Sequence, residues 1–283
     1  MRLQLTMLYD VIRTEEKMLV KAAEKKNIDL KMLGSRDLYF DLQKNYREEF
    51  GDIVLQRCVS YFRSLHLTAL LESKGIKVVN GLHEAFTAGN KMNSTLAMIK
   101  AGVPVPRTYL SFNQETALKA LEDLGYPAVL KPTIGSWGRL IAIMKDPETA
   151  ESILEDREHM FPIYQIYYLQ EKVKRPPRDL RAFVIGDKVV AAIYRISAEG
   201  VWKTNTARGG RAENCPVTPE LEDICLKAAD AIGEGIFGVD LMETPDGLVV
   251  HEVNNTIEFR NTVPATGIDI PGLVLDYLVN LKR

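Results

Sequence analysis

Apolar residues near the start of the chain fall into short blocks separated by amphipathic stretches. Blocks at 3–9, 30–33, 53–58 and 77–80 read as strands, with helices at 14–27 and in the stretch that ends before Gly75. Strands alternating with helices in this way predict a parallel α/β unit over residues 1–87. It lacks a GxGxxG turn, so dinucleotide binding is not suggested. Farther on, a helix is expected from 90 to 101, closed by Gly102 and Pro104. Strands are expected at 127–132 and 167–173, the latter ended by Pro176-Pro177.

Near the C-terminus, two apolar runs at 238–243 and 248–254 flank Thr244-Pro245-Asp246-Gly247, which reads as a hairpin turn. Pro245-Asp246-Gly247 suits a three-residue loop with Gly247 in the left-handed position. That register sets Asp240 opposite Glu252 on one face, with Cβ atoms roughly 4.5–5.5 Å apart. Asn254 follows on the same face opposite Gly238, and His251 alternates away from it. Facing carboxylates destabilise a hairpin unless a cation lies between them. Two carboxylates and an amide oxygen are hard ligands suited to Mg²⁺. The competing reading is a solvated strand face, which a register slip of one residue would favour.

Mg²⁺ held by so few protein groups usually completes its shell with a nucleotide's phosphates. Candidate phosphate-binding groups are present. Lys131 ends the strand at 127–132, and Gly135-Ser136-Trp137-Gly138-Arg139 follows as a loop whose glycines let backbone N–H groups close over phosphate oxygens. It is not a Walker loop, and alone it also reads as an ordinary hairpin. Lys91 lies in the first turn of its helix, where a cation opposes the dipole unless an anion is nearby; the alternative is a solvated surface lysine. Gln170-Glu171-Lys172-Val173 forms a strand-to-loop hinge able to offer backbone groups to an adenine edge, with Asp179 beyond it for a ribose hydroxyl. An edge strand ended by prolines explains the same residues.

Composition adds few restrictions. The 283 residues, 46% of them hydrophobic, are enough for two or three domains with a large core. Cys58, Cys215 and Cys225 are odd in number and form no CxxC pair, which predicts a reduced cytoplasmic setting without structural zinc. The four histidines are scattered. The opening apolar run gives way at Arg13-Thr14-Glu15-Glu16-Lys17, so neither a secretory signal nor a membrane span is expected. Net charge is −2, yet residues 171–211 hold ten basic side chains against four acidic. Such a surplus can steer an acidic macromolecule. Nucleic acid is disfavoured as that partner, because the stretch lacks a recognised binding motif and the whole chain is acidic.

Taken together, Lys91, Val129-Leu130-Lys131-Pro132, Gln170-Glu171, Asp179-Leu180-Arg181, Asn205-Thr206-Ala207-Arg208-Gly209-Gly210, Asp240 and Glu252-Val253-Asn254 resemble an ATP-grasp ligase, in the branch that includes the ribosomal-protein glutamate ligases. The loop at 135–139 and the segments 205–210 and 254–261 are similar to the amino-acid-to-carrier-protein ligases of lysine and arginine biosynthesis, the LysX and ArgX type. The resemblance covers essentially the whole chain. It implies an α/β ATP-grasp fold: an N-terminal parallel α/β domain at 1–87, then two α+β domains at 88–168 and 169–283 that clasp ATP. It further implies ATP contacts from Lys91, Lys131, Gly135, Ser136, Trp137, Gly138, Gln170, Glu171, Lys172, Val173, Asp179 and Arg181, metal ligation by Asp240, Glu252 and Asn254, and catalytic roles for Arg195, Asn205 and Arg208.

The implied reaction is an ATP-dependent carboxylate–amine ligation. ATP phosphorylates the side-chain carboxylate of the C-terminal glutamate of a small acidic carrier protein of the LysW kind, and an amino acid's α-amine displaces the phosphate. Such chemistry needs charge neutralisation and positioning more than a protein nucleophile. A homo-oligomer, dimer or tetramer, is also expected. Asn255, Thr256, Glu258, Phe259, Arg260 and Asn261 follow the metal ligands directly and are expected to line the amino-acid pocket. Arg260 is placed to pair with a distal carboxylate, and its reach favours glutamate over α-aminoadipate. One methylene is worth only about 1–3 kcal/mol in a pocket, so dual specificity stays open. An Arg260 paired with Glu258, or simply exposed, is the alternative.

Overall fold

The blocks of aliphatic residues at the start of the chain form a parallel sheet. A computed structural model describes residues 3–135, 138–197 and 210–281. In its first part, β1 (Leu5–Tyr9), β2 (Leu30–Gly34), β3 (Ile53–Gln56) and β4 (Lys77–Val79) pair in the order β2-β1-β3-β4, every pair parallel. The helices between them are α1 (Thr14–Lys25), α2 (Arg47–Phe50) and α3 (Tyr61–Ser73). Alternation along the strands divides the core by face. Leu5, Met7, Ile53 and Leu55 share a cluster with Leu19 of α1, whereas Leu8, Val54 and Val78 pack against Leu67 and Leu71 of α3.

Two helices, α4 (Leu82–Ala88) and α5 (Lys91–Lys100), lead into a second sheet. The side chain of Asn90 accepts the backbone N–H groups of Met92 and Asn93, which fixes Lys91 as the first residue of α5. The second sheet is antiparallel, β5 (Thr108–Ser111), β6 (Ala128–Lys131), β7 (Ala142–Met144) and β8 (Tyr167–Glu171) in the order β5-β8-β6-β7. It is backed by α6 (Gln114–Leu124) and α7 (Pro147–Glu158). Strand β8 stops at Glu171, short of the expected 173, and it is internal to its sheet, which removes the edge-strand reading.

The third sheet has five antiparallel strands: β9 (Arg178–Ile185), β10 (Lys188–Ile196), β11 (Arg211–Asn214), β12 (Ile236–Thr244) and β13 (Gly247–Asn254), in the order β11-β10-β9-β12-β13. Helix α8 (Pro219–Ile232) covers one face through Leu221, Cys225 and Ala228. The other face, carrying Phe183, Ile193 and Ile236, joins the first sheet's core, and the chain closes there with α9 (Thr262–Thr266) and α10 (Ile270–Asn280). First and third sheets therefore share one apolar layer, and the segment leaving β13 runs along it. No helix among the described residues is long and apolar enough to cross a membrane. The three cysteines are free and buried.

Candidate active site

Asp240 does face Glu252, and Gly238 faces Asn254, but the turn is not the one expected. Thr244 pairs with Gly247, so the loop is Pro245-Asp246 alone, held by Thr244 Oγ1 donating to the carbonyl of Gly247 at 2.8 Å. The lost residue of offset returns as a bulge: Asp240 pairs with Glu252 while Leu241 pairs with Val250, leaving His251 without a partner in the ladder. A bulge breaks the alternation of side chains and re-aims the extra residue. His251 therefore lines the same cavity as Glu252 instead of pointing away, a correction to the sequence reading. Neither of its ring nitrogens has a hydrogen-bond partner, and burial beside Lys131 pushes its pKa down to about 4.

Buried Asp240 is gripped by cations. Arg181 donates to both of its oxygens at 2.6 Å, Arg195 reaches it at 3.2 Å, and the Asn254 amide lies 3.5 Å away. Burial alone would raise this carboxyl; the two guanidinium groups outweigh it and hold the group well below the usual carboxylate range. Arg195 is itself buried and tied at 2.6 Å to Asp179, so in this arrangement the Asp179 carboxylate faces a guanidinium and forms part of the same network. Burial lowers the Arg195 pKa, but Asp240 and Asp179 reverse that and raise it. Glu252 forms an ion pair with Lys91 at 3.2 Å, and Lys91 also donates to the Gly135 carbonyl at 2.7 Å. Burial raises Glu252 and Lys91 lowers it, with a net shift downwards.

Lys131, at the end of β6, donates at 2.6 Å to Gln170, which in turn donates to Thr108 and Tyr168. Burial pulls the Lys131 pKa down to about 8 against the opposing pull of Glu252. Gln170 thus serves to hold Lys131. Gln170, Glu171, Lys172 and Val173 are not among the residues that line the cavity of Glu252 and His251, which Gln170 reaches through Lys131. Glu171 instead accepts the backbone N–H of Arg107 at 2.7 Å.

These groups surround one cavity of about 660 Å³, walled by Lys91, Lys131, Gly135, Gly138, Asp179, Arg181, Arg195, Asp240, Glu252 and Asn254. Gly135 and Gly138 have φ of +139° and +65°, a backbone that only glycine adopts easily. Ser136, Trp137, Asn205 and Arg208 lie outside the described residues. Of the expected amino-acid wall, Asn255, Thr256, Glu258 and Arg260 line the cavity. Phe259 does not: it is fully buried in the shared core, because alternation along the segment sends 257 and 259 inwards. Asn261 precedes α9 and is also off the wall. Arg260 is exposed and makes no ion pair with a described residue; Glu258 pairs at 3.2 Å with Arg13, not with Arg260. Arg13 and Arg175 are cavity residues that the sequence reading missed. Arg13 sits at the N-terminus of α1, where a cation opposes the dipole, the signal that did single out Lys91.

Residues 88–278 match the RimK-like ATP-grasp domain, and residues 5–87 match the LysX preATP-grasp domain. The chain belongs to the RimK-like ATP-grasp family. The alpha-aminoadipate–LysW ligase LysX of Sulfurisphaera tokodaii is 36% identical to it over 270 residues, 94% of each chain. The glutamate–LysW ligase ArgX of the same organism is 29% identical over 278 residues, 98% of each. A RimK-domain ATP-grasp protein from Sphaerobacter thermophilus has a similar structure, with a TM-score of 0.80 at 25% identity over 97% of this chain and 98% of that one. This ATP-grasp chain is an ATP-dependent, amide-forming ligase of the LysX/ArgX type.

The donor set of this ATP-grasp site suits a hard divalent ion. Asp240, Glu252 and Asn254 supply oxygens on adjacent strand positions, and each carboxylate is paired with a lysine or arginine. Among the described residues the cavity wall offers cations, carboxylates and amides but no nucleophile–base pair, which agrees with catalysis by positioning and charge.

Proposed function

We propose that the chain joins an acidic α-amino acid to the side-chain carboxylate of the C-terminal glutamate of a small acidic carrier protein of the LysW kind. The observation that carries this reading is the single cavity that holds both the carboxylate–amide set with its lysines and the Arg260 wall. Mg²⁺ held by Asp240, Glu252 and Asn254 would offset the charge of the ATP phosphates. Lys91 and Lys131, both on the cavity wall, would orient the triphosphate, which transfers its γ-phosphoryl group to the carrier carboxylate and leaves as ADP. The amino acid's α-amine then attacks the acyl carbon and loses a proton, and phosphate departs as the amide forms. Buried Arg195, paired with Asp179 and Asp240, would stabilise charge on the acyl phosphate.

Two amino acids fit the acidic-substrate reading. Higher identity to the α-aminoadipate ligases, 36% against 29%, supports α-aminoadipate. The reach of Arg260 supports glutamate. Identity over the whole chain outweighs the reach of one exposed side chain, so α-aminoadipate is the first reading and glutamate the second. The test is the mass gained by the carrier protein after incubation with ATP, Mg²⁺ and both amino acids. ADP and phosphate should appear only when ATP, carrier and amino acid are all present; ADP release with a phosphorylated product and no amide would instead indicate a kinase.

Arg260→Lys tests the pocket. A lysine loses the bidentate fork and some reach, so kcat/KM for glutamate should fall more than for α-aminoadipate, by roughly tenfold in the ratio, about the worth of one methylene. Equal losses would assign Arg260 to the α-carboxylate or the scaffold, and no change would place it outside the pocket.

The basic surplus at 171–211 is partly consumed internally. Arg181 and Arg195 hold Asp240, Arg178 pairs with Glu243 at 2.6 Å and lies over Tyr194, and Arg175 lines the cavity. Arg175 is therefore unsuited to a clean docking test. Lys174 is exposed. Association with an acidic carrier should slow as salt shortens the Debye length from about 10 Å at 0.1 M to about 3 Å at 1 M. Lys174→Glu should lower the on-rate further in stopped flow, with ATP affinity unchanged. Rates indifferent to salt and to this reversal would argue against electrostatic docking on this segment.

A further inference from the structure

We propose that Glu15, Arg57 and Asn80 are positioning residues that set the amino-acid pocket through its backbone, an inference that rests on residues 255–260 being the amino-acid wall. After Asn254 the chain leaves the sheet, and its backbone groups lose their ladder partners. Buried backbone groups need replacements. Here they come from side chains about 175 to 245 positions earlier in the sequence. Asn80 donates to the carbonyl of Asn255 at 3.0 Å, Arg57 to that of Ile257 at 3.0 Å, and Glu15 accepts the N–H of Arg260 at 3.2 Å. All three side chains are buried.

The anchors are themselves held. Asn80 exchanges two further hydrogen bonds with the backbone of Ile236 at the start of β12. Arg57 donates to the buried Glu16 at 2.9 Å, and its guanidinium lies 6.0 Å from the ring of Phe259. Held at three points across six residues, the segment has one register: Ile257 and Phe259 enter the core, and Thr256, Glu258 and Arg260 face the cavity. Glu15 thereby holds the backbone from which the Arg260 side chain extends along the cavity wall. A shift of about 1 Å in such a group is enough to cost a large factor in rate, and pocket length is what separates glutamate from α-aminoadipate.

A residue that only supports the fold and one that positions the pocket give different kinetics. Glu15→Gln keeps an oxygen that accepts the Arg260 N–H; Glu15→Leu removes it. With purified full-length enzyme, carrier, ATP and each amino acid, the leucine variant should raise the amino-acid KM about tenfold and change the glutamate-to-α-aminoadipate ratio, with the ATP KM held within about twofold. The glutamine variant should restore near wild-type values. A folded leucine variant with unchanged amino-acid KM and ratio, or with both KM values raised alike, overturns the assignment while leaving the ligase reading intact. If the leucine variant does not fold, Arg57→Lys carries the same test, since it keeps the charge facing Glu16 and loses the fork that reaches Ile257. A wild-type enzyme that modifies the carrier with neither amino acid overturns both readings.

Discussion

Glu252→Gln is expected to abolish ligation, by at least about 100-fold in kcat, while the protein stays folded. The substitution keeps the size of the side chain and an oxygen facing Lys91, which also retains the Gly135 carbonyl at 2.7 Å. What it removes is one of the two carboxylates proposed for the metal. Changing groups that merely orient metal ligands typically costs about 10–100-fold, so loss of a ligand should cost no less. Asp240→Asn is a poorer test. It leaves Arg181 and Arg195 facing a neutral amide in a buried site, and breaking a buried pair by removing one partner costs about 3–5 kcal/mol, so activity and stability would fall together. Turnover measured by ADP release, beside a thermal melt, separates the two. Wild-type turnover in a Glu252→Gln protein at ordinary Mg²⁺ would remove these residues from the metal site.

The Asp240–Glu252 pairing was legible in the sequence for a reason that turned out to be incomplete. A three-residue loop and a two-residue loop with one bulged residue give the same offset at residue 240, and nothing in Thr244-Pro245-Asp246-Gly247 separates them. The difference falls on His251, which only the bulge brings into the cavity. Strand-and-helix alternation was legible at the start of the chain because each element's burial is set locally, by the spacing of its own apolar residues. The wall at 255–260 was half legible. Alternation separates Phe259 from Glu258, yet the partners that fix the segment, Glu15, Arg57 and Asn80, meet it only through the tertiary fold. Gln170 shows the same limit: its place in a strand was readable, but its bond to Lys131 depends on β6 and β8 pairing across the sheet.

Lys131→Met should weaken binding of a non-hydrolysable ATP analogue by about 10–100-fold, since hydrogen bonds to charged groups are worth about 1.5–3 kcal/mol. Exposed surface charges contribute about 0–1 kcal/mol, so a loss of this size would exclude a solvated-surface role. The same residue fixes the sign of two pH effects. Burial lowers the Lys131 pKa from 10.5 to about 8 in the ligand-free protein. Between those values the unfolded chain holds a proton that the folded chain has released, so the stability contribution rises with pH across that window and is lost as pH falls through about 8. Nucleotide phosphates favour the charged amine, so binding takes up a proton in the same window, and ATP affinity falls as pH rises above about 8. One lysine thus predicts stability and affinity moving in opposite directions, and methionine should abolish both slopes. Calorimetric titrations at pH 7 and pH 9, in buffers of different ionisation enthalpy, measure the affinity and the proton uptake directly. An affinity that is unchanged by Lys131→Met, and equally flat with pH in the wild type, would return Lys131 to a purely structural place beside Gln170.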